Sequence, residues 1–139
     1  MENINKKITG MGFHHIALKA ADFEKSLDFY TNGLGMTPVL SWGEGNGRIT
    51  MLDMGNGDIV ELFAGGGDEF AKVGKYIHFA MGVDDVDAAY DAAIAAGAVS
   101  KTAPKDAPLN SQPYKVTLRV AFVYGPDGEE LEFFKMTKN

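Results

Sequence analysis

A short pattern occurs twice in this chain of 139 residues. His15 begins the segment His-Ile-Ala-Leu, and Asp22 follows after three more residues. His78 begins the segment His-Phe-Ala-Met, and Asp85 follows after three more residues. The two copies lie 63 positions apart in the sequence. Such self-similarity indicates two copies of one supersecondary unit, which restricts the folds that the chain can adopt.

A second pair of segments matches at a larger offset. Residues 57–63 are similar to residues 128–134, and 71 positions separate Glu61 from Glu132. Alternating residues predict a strand in both segments. Each half of the chain therefore opens with a histidine on a strand and closes with a glutamate on a strand.

The first half predicts the order βαβββ. Residues 13–19 are short and apolar, as in a buried strand. Asp22 is a good N-cap for the helix that follows, and Asn32-Gly33 ends that helix. Apolar patterning and Gly-rich turns predict three further strands, over residues 35–42, 48–54 and 58–63.

The second half repeats this order after a Gly-rich linker. Asp84-Asp85 caps its helix, and Gly97 ends it. Residues 103–113 contain three prolines and predict a loop, which either covers the site as a lid or only connects two strands. The predicted strands cover residues 76–83, 98–102, 114–123 and 130–135.

We therefore predict an α+β fold in which two βαβββ modules form an open curved sheet. One module cannot bury its own sheet face, so the two must pair, within one chain or between two chains. The predicted division is a flexible N-terminal tail at 1–10 and a single domain at 11–136. Within that domain, module one covers 11–63, the linker 64–75 and module two 76–136.

Four residues at repeat-related positions suit a metal ion. His15 and His78 are embedded in apolar strands, and Glu61 and Glu132 share strand faces with apolar residues. An unpaired buried carboxylate is costly, and a metal removes that cost. Taken singly, each residue is more often an ordinary strand residue, but their joint placement favours one divalent ion: Zn, Ni, Co, Mn or Fe. His14 is expected to face away from His15 across the strand.

Composition excludes several functional classes. The net charge of −6 argues against a binder of nucleic acid or of anionic membranes. The chain has no cysteine, which excludes disulfides and thiolate metal sites. No stretch approaches 18 apolar residues, and the N-terminus lacks the apolar region of a signal peptide. We therefore expect a cytoplasmic protein.

These motifs resemble the vicinal oxygen chelate superfamily, which includes glyoxalase I, bleomycin-resistance proteins, extradiol dioxygenases, fosfomycin-resistance enzymes and methylmalonyl-CoA epimerase. The resemblance covers about residues 11–135 and is specific for the superfamily rather than for one reaction. It rests on residues 15–22 (HIALKAAD), 26–30 (SLDFY), 33–36 (GLGM), 61–63 (ELF), 78–85 (HFAMGVDD) and 125–133 (GPDGEELEF).

Within the superfamily, a set of two histidines and two glutamates resembles glyoxalase I most closely. That resemblance implies a metal-dependent lyase or isomerase that acts through a metal-chelated enediolate. Its substrate would be a small molecule with vicinal oxygens, such as the hemithioacetal of methylglyoxal and glutathione. By the same resemblance, Glu132 would be the main catalytic base and Glu61 its counterpart.

Four other residues are candidates for binding the substrate. Trp42 and Tyr114 are aromatic residues that can line a cavity, although aromatic residues on strands more often pack in the hydrophobic core. Arg48 and Arg119 are the only arginines and can hold an anionic group, or can equally lie on a solvated face. Glyoxalase I usually has an arginine after the Gly-Met turn to bind the glutathione carboxylate, and residues 37–42 contain none.

Two alternatives remain open at this point. One is a metal-free ligand-binding protein similar to the bleomycin-resistance proteins, although those generally lack the ligand set. The other is a different metalloenzyme of the superfamily: a dioxygenase, an epimerase or a thiol transferase. A dioxygenase fits less well, because it needs two histidines and one carboxylate while position 61 is Glu. A homodimer is expected in each case, and the sequence leaves open whether the four ligands come from one chain or from two.

Overall fold

The computed structural model describes residues 3–33, 35–70, 75–126 and 128–139. The first half contains β1 (Gly12–Lys19), α1 (Phe23–Asp28) with a π-helical turn (Phe29–Gly33), β2 (Thr37–Trp42), β3 (Ile49–Asp53) and β4 (Ile59–Phe63). The second half contains β5 (Tyr76–Gly82), α2 (Val86–Ala95), β6 (Val99–Leu109), β7 (Val116–Tyr124) and β8 (Glu130–Lys138). Short 3-10 turns cover Gly45–Gly47 and Asp68–Phe70.

All eight strands form one sheet in the order β2-β3-β4-β1-β5-β8-β7-β6. Each half contributes four neighbouring strands, and the antiparallel pair β1–β5 joins the halves at the centre. The pairs β1–β4 and β5–β8 are parallel, so the second half repeats the pairing of the first. The predicted α+β fold of two βαβββ modules in one curved sheet is confirmed.

The helices begin where the sequence predicts. Asp22 accepts a hydrogen bond from the backbone N–H of Lys25 at 3.1 Å, and Asp85 accepts one from Ala88 at 3.0 Å. These are the N-cap bonds that satisfy a free N–H in the first turn of a helix. Both helices cover the same face of the sheet, each over its own half, where their apolar residues meet two core clusters that include Leu62 and Phe133.

The other face of the sheet is concave and has a core of its own. Its buried cluster joins residues from both halves: Leu40, Met51, Ile59, Ala80, Val116, Leu118, Val120 and Phe134. Ser41 of β2 also exchanges two backbone hydrogen bonds with Gln112, both 2.9 Å long. Because Ser41 and Gln112 lie near opposite ends of the strand order, this bridge shows how strongly the sheet curls.

One predicted loop is a strand for most of its length. Residues 103–113 were expected to be irregular because they contain three prolines, but β6 continues to Leu109. Among the described strands, β6 lies at the edge of the sheet and pairs with β7, and proline is tolerated on an edge because no neighbour needs its missing N–H. The part of the predicted loop outside β6 is therefore residues 110–113, and the predicted lid is limited to them.

The N-terminal segment is not wholly separate from the domain. Ile8 packs against the core cluster beneath α2, and the carbonyl of Thr9 accepts a hydrogen bond from Asp84 N–H at 3.2 Å. The flexibility of residues 1–10 stays a prediction, as do the module boundaries. Among the described residues, no helix is both long and apolar enough to span a membrane.

Candidate metal centre

Four adjacent central strands each contribute one residue to a polar cluster on the concave face. β4 carries Glu61, β1 carries His15, β5 carries His78 and β8 carries Glu132. All four are buried, with exposed fractions of 9% or less. One chain therefore supplies the complete set that the sequence singled out.

The four side chains converge on one point. His15 Nε2 lies 3.2 Å from Glu61 Oε1 and 3.1 Å from Glu132 Oε1. His78 Nε2 lies 3.6 Å from Glu61 Oε1 and 3.0 Å from Glu132 Oε1. The two Nε2 atoms are 3.3 Å apart, and the four potential ligand atoms all lie within 4.8 Å of one another.

Two alanines leave room for this convergence. Ala17 pairs with Glu61 on one side and with His78 on the other. Ala80 pairs with His15 on one side and with Glu132 on the other. Both alanines are fully buried, so a larger side chain would enter the space that the ligands share. Neither alanine was among the predicted site residues, although alanine stands two residues after the histidine in both copies of the repeat.

The donor set fits a divalent first-row ion. Imidazole nitrogens and carboxylate oxygens bind such ions at about 2.0–2.2 Å, which places neighbouring donors about 3.0–3.5 Å apart around the ion. The separations between the imidazole nitrogens and their neighbours in the cluster, 3.0 to 3.6 Å, agree with that spacing. Two buried carboxylates in an apolar core also need compensating positive charge.

Without a metal, protonated histidines supply that charge. Burial lowers the pKa of His78, but hydrogen bonds and charges from Glu132 and Glu61 outweigh burial and raise the pKa to about 9. The same balance raises the pKa of His15. Burial raises the pKa of Glu61, and the two histidines outweigh it, so the pKa is lowered. The free cluster is thus an ion-paired network in which metal and protons compete for the same nitrogens.

His14 also lies on the concave face, contrary to the sequence prediction. Phe13 pairs with Met81 and His15 pairs with Ala80, so His14 is an extra residue on β1. This β-bulge interrupts the alternation of side chains that would have sent His14 to the opposite face. His14 Nδ1 lies 2.8 Å from His15 Nδ1. Burial and the charge of His15 lower the pKa of His14 to about 4.

His78 has different surroundings on its outer side. The rings of Phe63 and Phe122 lie edge-on to His78, with centroids 6.3 and 5.4 Å away. Glu130 Oε2 lies 3.3 Å from His78 Nδ1, but outside hydrogen-bonding geometry, and Glu130 also pairs with Lys101. Among the described residues, His78 Nδ1 is a buried side-chain atom without a hydrogen-bond partner.

Comparison with a family model identifies the superfamily of this chain. The model described as the Glyoxalase/Bleomycin resistance protein/Dioxygenase superfamily matches residues 12–133, which include all four clustered residues. The chain belongs to this superfamily.

Curated relatives within the superfamily match most of the chain. A probable lactoylglutathione lyase from Vibrio cholerae is 32% identical over 127 residues, which are 87% of this chain and 88% of the relative. A lactoylglutathione lyase from Neisseria meningitidis is 34% identical over 128 residues, with the same coverage. These relatives support the prediction that the chain is an enzyme of the superfamily.

Solved structures share the fold. Methylmalonyl-CoA epimerase from Mycobacterium tuberculosis has a TM-score of 0.71 at 19% identity, and the match covers 95% of this chain and 91% of the epimerase. A hypothetical protein from Bacillus halodurans has a TM-score of 0.70 at 17% identity, covering 94% of this chain and 98% of that protein. At these identities the likeness shows a common superfamily fold and no more.

The structure does not bring the two arginines to the cluster. Arg48 pairs with Glu24 and lies over the ring of Phe23, 4.4 Å from its centroid, on the side of α1. Arg119 lies on the face covered by α2 and pairs with Asp87 at 2.9 Å and Asp106 at 3.2 Å. Their role in substrate binding is therefore not supported by their positions.

The two aromatic candidates lie on the concave side. Trp42 is half-buried and packs against the concave core cluster. Tyr114 is 38% exposed and lines a cavity of about 170 Å³ together with His14, Met51 and Met136. Both residues can therefore border a ligand that approaches the cluster from this side of the superfamily fold.

Proposed function

We propose that this chain is a metal-dependent lyase or isomerase of the glyoxalase I type. The observation that carries the proposal is the buried cluster of His15, Glu61, His78 and Glu132, which one chain assembles from four neighbouring strands. The proposed substrate is a small molecule with vicinal oxygens, such as the hemithioacetal of methylglyoxal and a thiol. The names of the curated relatives support this substrate class.

The four clustered side chains would hold one divalent ion. His15 and His78 would bind it through Nε2, and each glutamate through one oxygen, because these are the atoms that face one another. A bound divalent ion acts as a Lewis acid that polarises the substrate oxygens and stabilises the negative charge that develops on them. The donor set suits Zn, Ni, Co, Mn or Fe, and the choice among them is left to experiment.

The two glutamates would move the proton between the adjacent carbons of the substrate. We assign Glu132 as the main base and Glu61 as its counterpart on the repeat-related strand. Each is 5% exposed, so little water can compete for the transferred proton. Each carboxylate would act as a general base that accepts the proton from one carbon and returns it to the adjacent carbon, a role that contributes about 10²- to 10⁴-fold to rate when the side chain is well positioned.

The identity of the thiol cosubstrate is a separate question. Glutathione carries two carboxylates, and the enzyme would need cations to bind them. Both arginines are engaged in ion pairs with acidic residues away from the cluster. We therefore propose a thiol hemithioacetal as the substrate class, with glutathione as the first thiol to test.

A metal-free binding protein is the less favoured alternative. A protein that only sequesters an apolar ligand has no need of two buried glutamates, whose burial without a partner is costly. Here both are buried beside two histidines, and all four fall at repeat-related positions. The cluster therefore favours a metalloenzyme over a binding protein.

Metal content and activity together test the proposal. Protein purified without chelator should contain close to one divalent ion per chain, and His78→Ala should lose it. The metal-free protein is then reloaded with Ni, Zn, Co or Mn, and loss of the methylglyoxal–glutathione hemithioacetal is measured. Glu44→Gln, at an exposed glutamate that is not part of the cluster, is the matched control and should behave as the wild type. A protein that binds none of these ions with useful affinity contradicts the proposal.

A further inference from the structure

The two histidines of the cluster are related by the repeat, but their outer nitrogens, the Nδ1 atoms, have different neighbours. His15 Nδ1 lies 2.8 Å from His14 Nδ1, a hydrogen-bond distance. Among the described residues, His78 Nδ1 has the carboxylate of Glu130 nearby, at 3.3 Å and outside hydrogen-bonding geometry. The inner Nε2 atoms, by contrast, occupy equivalent places facing the glutamates.

The β-bulge that exposes His14 to His15 also occurs twice. On β1, His14 is the extra residue between the pairs Phe13–Met81 and His15–Ala80. On β5, Ile77 is the extra residue between the pairs that join Ala17 to His78 and Leu18 to Tyr76. His14 and Ile77 occupy the same position of the repeat, one residue before the clustered histidine. The backbone irregularity therefore belongs to both modules, whereas the imidazole at that position belongs to the first alone.

Glu130, by contrast, is a carboxylate that occurs in the second module and not in the first. Its counterpart in the first module is Ile59, a buried apolar residue of β4. In the first module an imidazole on the same strand thus approaches the outer nitrogen of the histidine. In the second module a carboxylate on a neighbouring strand takes that place.

We propose that His14 positions His15 for metal binding by accepting a hydrogen bond from His15 Nδ1–H. This inference rests on the proposed function, since it concerns the same metal ion. A histidine that binds a metal through Nε2 carries its proton on Nδ1, and a partner on that proton fixes both tautomer and ring orientation. His14 Nδ1 then has to be the acceptor, so its own proton is on Nε2.

The surroundings hold the His14 ring in this orientation. Its centroid is 4.3 Å from that of Phe134 and 5.1 Å from that of His15, and the two histidine rings are nearly perpendicular at 84°. Phe134 is 2% exposed and is part of the concave core. His14 is thus packed on a rigid neighbour, as a positioning residue requires.

Two substitutions separate the hydrogen bond from the packing. His14→Phe keeps a ring against Phe134 but removes the acceptor. His14→Asn removes the ring but places an amide oxygen near the position of Nδ1. We expect His14→Phe to weaken metal affinity by about 10- to 100-fold, the range typical for the loss of such an outer partner. His14→Asn should recover most of that loss.

The readout is metal binding rather than turnover. Affinity for Zn²⁺ and Co²⁺ is measured by competition with a chromophoric chelator, and the visible spectrum of bound Co²⁺ reports any change in geometry. Wild-type affinity in His14→Phe overturns the proposal, and so does an equal loss in His14→Asn and His14→Phe. If the wild type itself binds neither ion, the proposed function fails instead.

A measurement on the wild type keeps the test independent of how the variants fold. In the Zn²⁺-loaded protein, nitrogen-15 NMR identifies which ring nitrogen of each histidine carries a proton. The proposal expects the proton of His15 on Nδ1 and that of His14 on Nε2. A proton on His14 Nδ1 would overturn it.

Discussion

At the scale of single residues, the two glutamates of the cluster are equivalent by sequence but not by surroundings. Glu132 lies 3.1 Å from His15 Nε2 and 3.0 Å from His78 Nε2, whereas Glu61 lies 3.2 and 3.6 Å from the same atoms. Glu132 also follows Glu130 by two residues on β8, and Glu130 approaches His78 from outside. Glu132 therefore lies nearer to both imidazole nitrogens than Glu61 does.

Glu132→Gln tests the assignment of the main base. Glutamine keeps the shape of the side chain and an oxygen for the ion, but it cannot accept the substrate proton. General acid–base catalysis contributes roughly 10²- to 10⁴-fold to rate, so kcat should fall by about that factor. Rates are compared at matched metal content, with Glu44→Gln as the control. A fully loaded Glu132→Gln enzyme with wild-type kcat would refute the assignment.

At the scale of strands and turns, sequence patterns predicted most of what holds the site. The repeat located the strands that carry His15 and Glu132 because histidine and glutamate recur at fixed offsets in apolar segments. The prediction that His14 faces away from His15 was wrong, because a β-bulge depends on the register with a partner strand that is distant in sequence. The prediction of a loop at residues 103–109 was also wrong. Proline excludes a central strand but not an edge strand, and sequence alone does not say which strand is the edge.

The alanine beneath the cluster gives a prediction about strand packing. Ala80 is fully buried between His15 and Glu132 on the adjacent strands, so Ala80→Leu would push a branched side chain among the ligands. We expect metal binding to be lost and stability to fall by about 1–3 kcal/mol, the usual cost of overpacking. Metal content and urea denaturation measure the two effects. Full metal occupancy in Ala80→Leu would show that the alanine is not needed for space.

The turn between β3 and β4 gives a prediction about pH. Asp53 accepts backbone N–H bonds from Gly55 at 2.6 Å, Gly57 at 3.0 Å and Asn56 at 3.1 Å, and these bonds lower its pKa. A group with a lowered folded-state pKa stabilises the fold above its unfolded pKa of 3.8, and this stability is lost as pH falls through the folded value.

Asp53→Ala should therefore lower the urea midpoint at pH 7, and the difference from wild type should shrink in acid below pH 3.8. Asp53→Asn, which keeps an acceptor oxygen without the charge, should lie between the two. Urea titrations from pH 7 down to the acid limit of folding provide the measurement. A difference between Asp53→Ala and wild type that stays constant with pH would contradict this account.

At the scale of the whole molecule, the sheet brings the two modules together within one chain. β1 and β5 pair along their lengths, and the cluster spans that seam with His15 and Glu61 on one side and His78 and Glu132 on the other. The concave core also joins residues of both modules, such as Met51 and Val116. A site shared between two chains would instead need each module to face a module of its partner. The expected homodimer stays a prediction, but the ligand set does not require it.

A mixing experiment distinguishes the two arrangements. Glu61→Gln disables the first module and Glu132→Gln the second, so neither variant alone should be active. If sites formed between chains, a refolded equimolar mixture would contain intact sites made from the two undamaged modules, roughly a quarter of the total for random pairing of dimers. Because one chain supplies all four residues, we expect no recovery of activity above the average of the separate variants. Recovery towards a quarter of the wild-type rate, together with a fall to about a quarter rather than about a half in a control mixture of wild type and double variant, would show that the modules are exchanged between subunits.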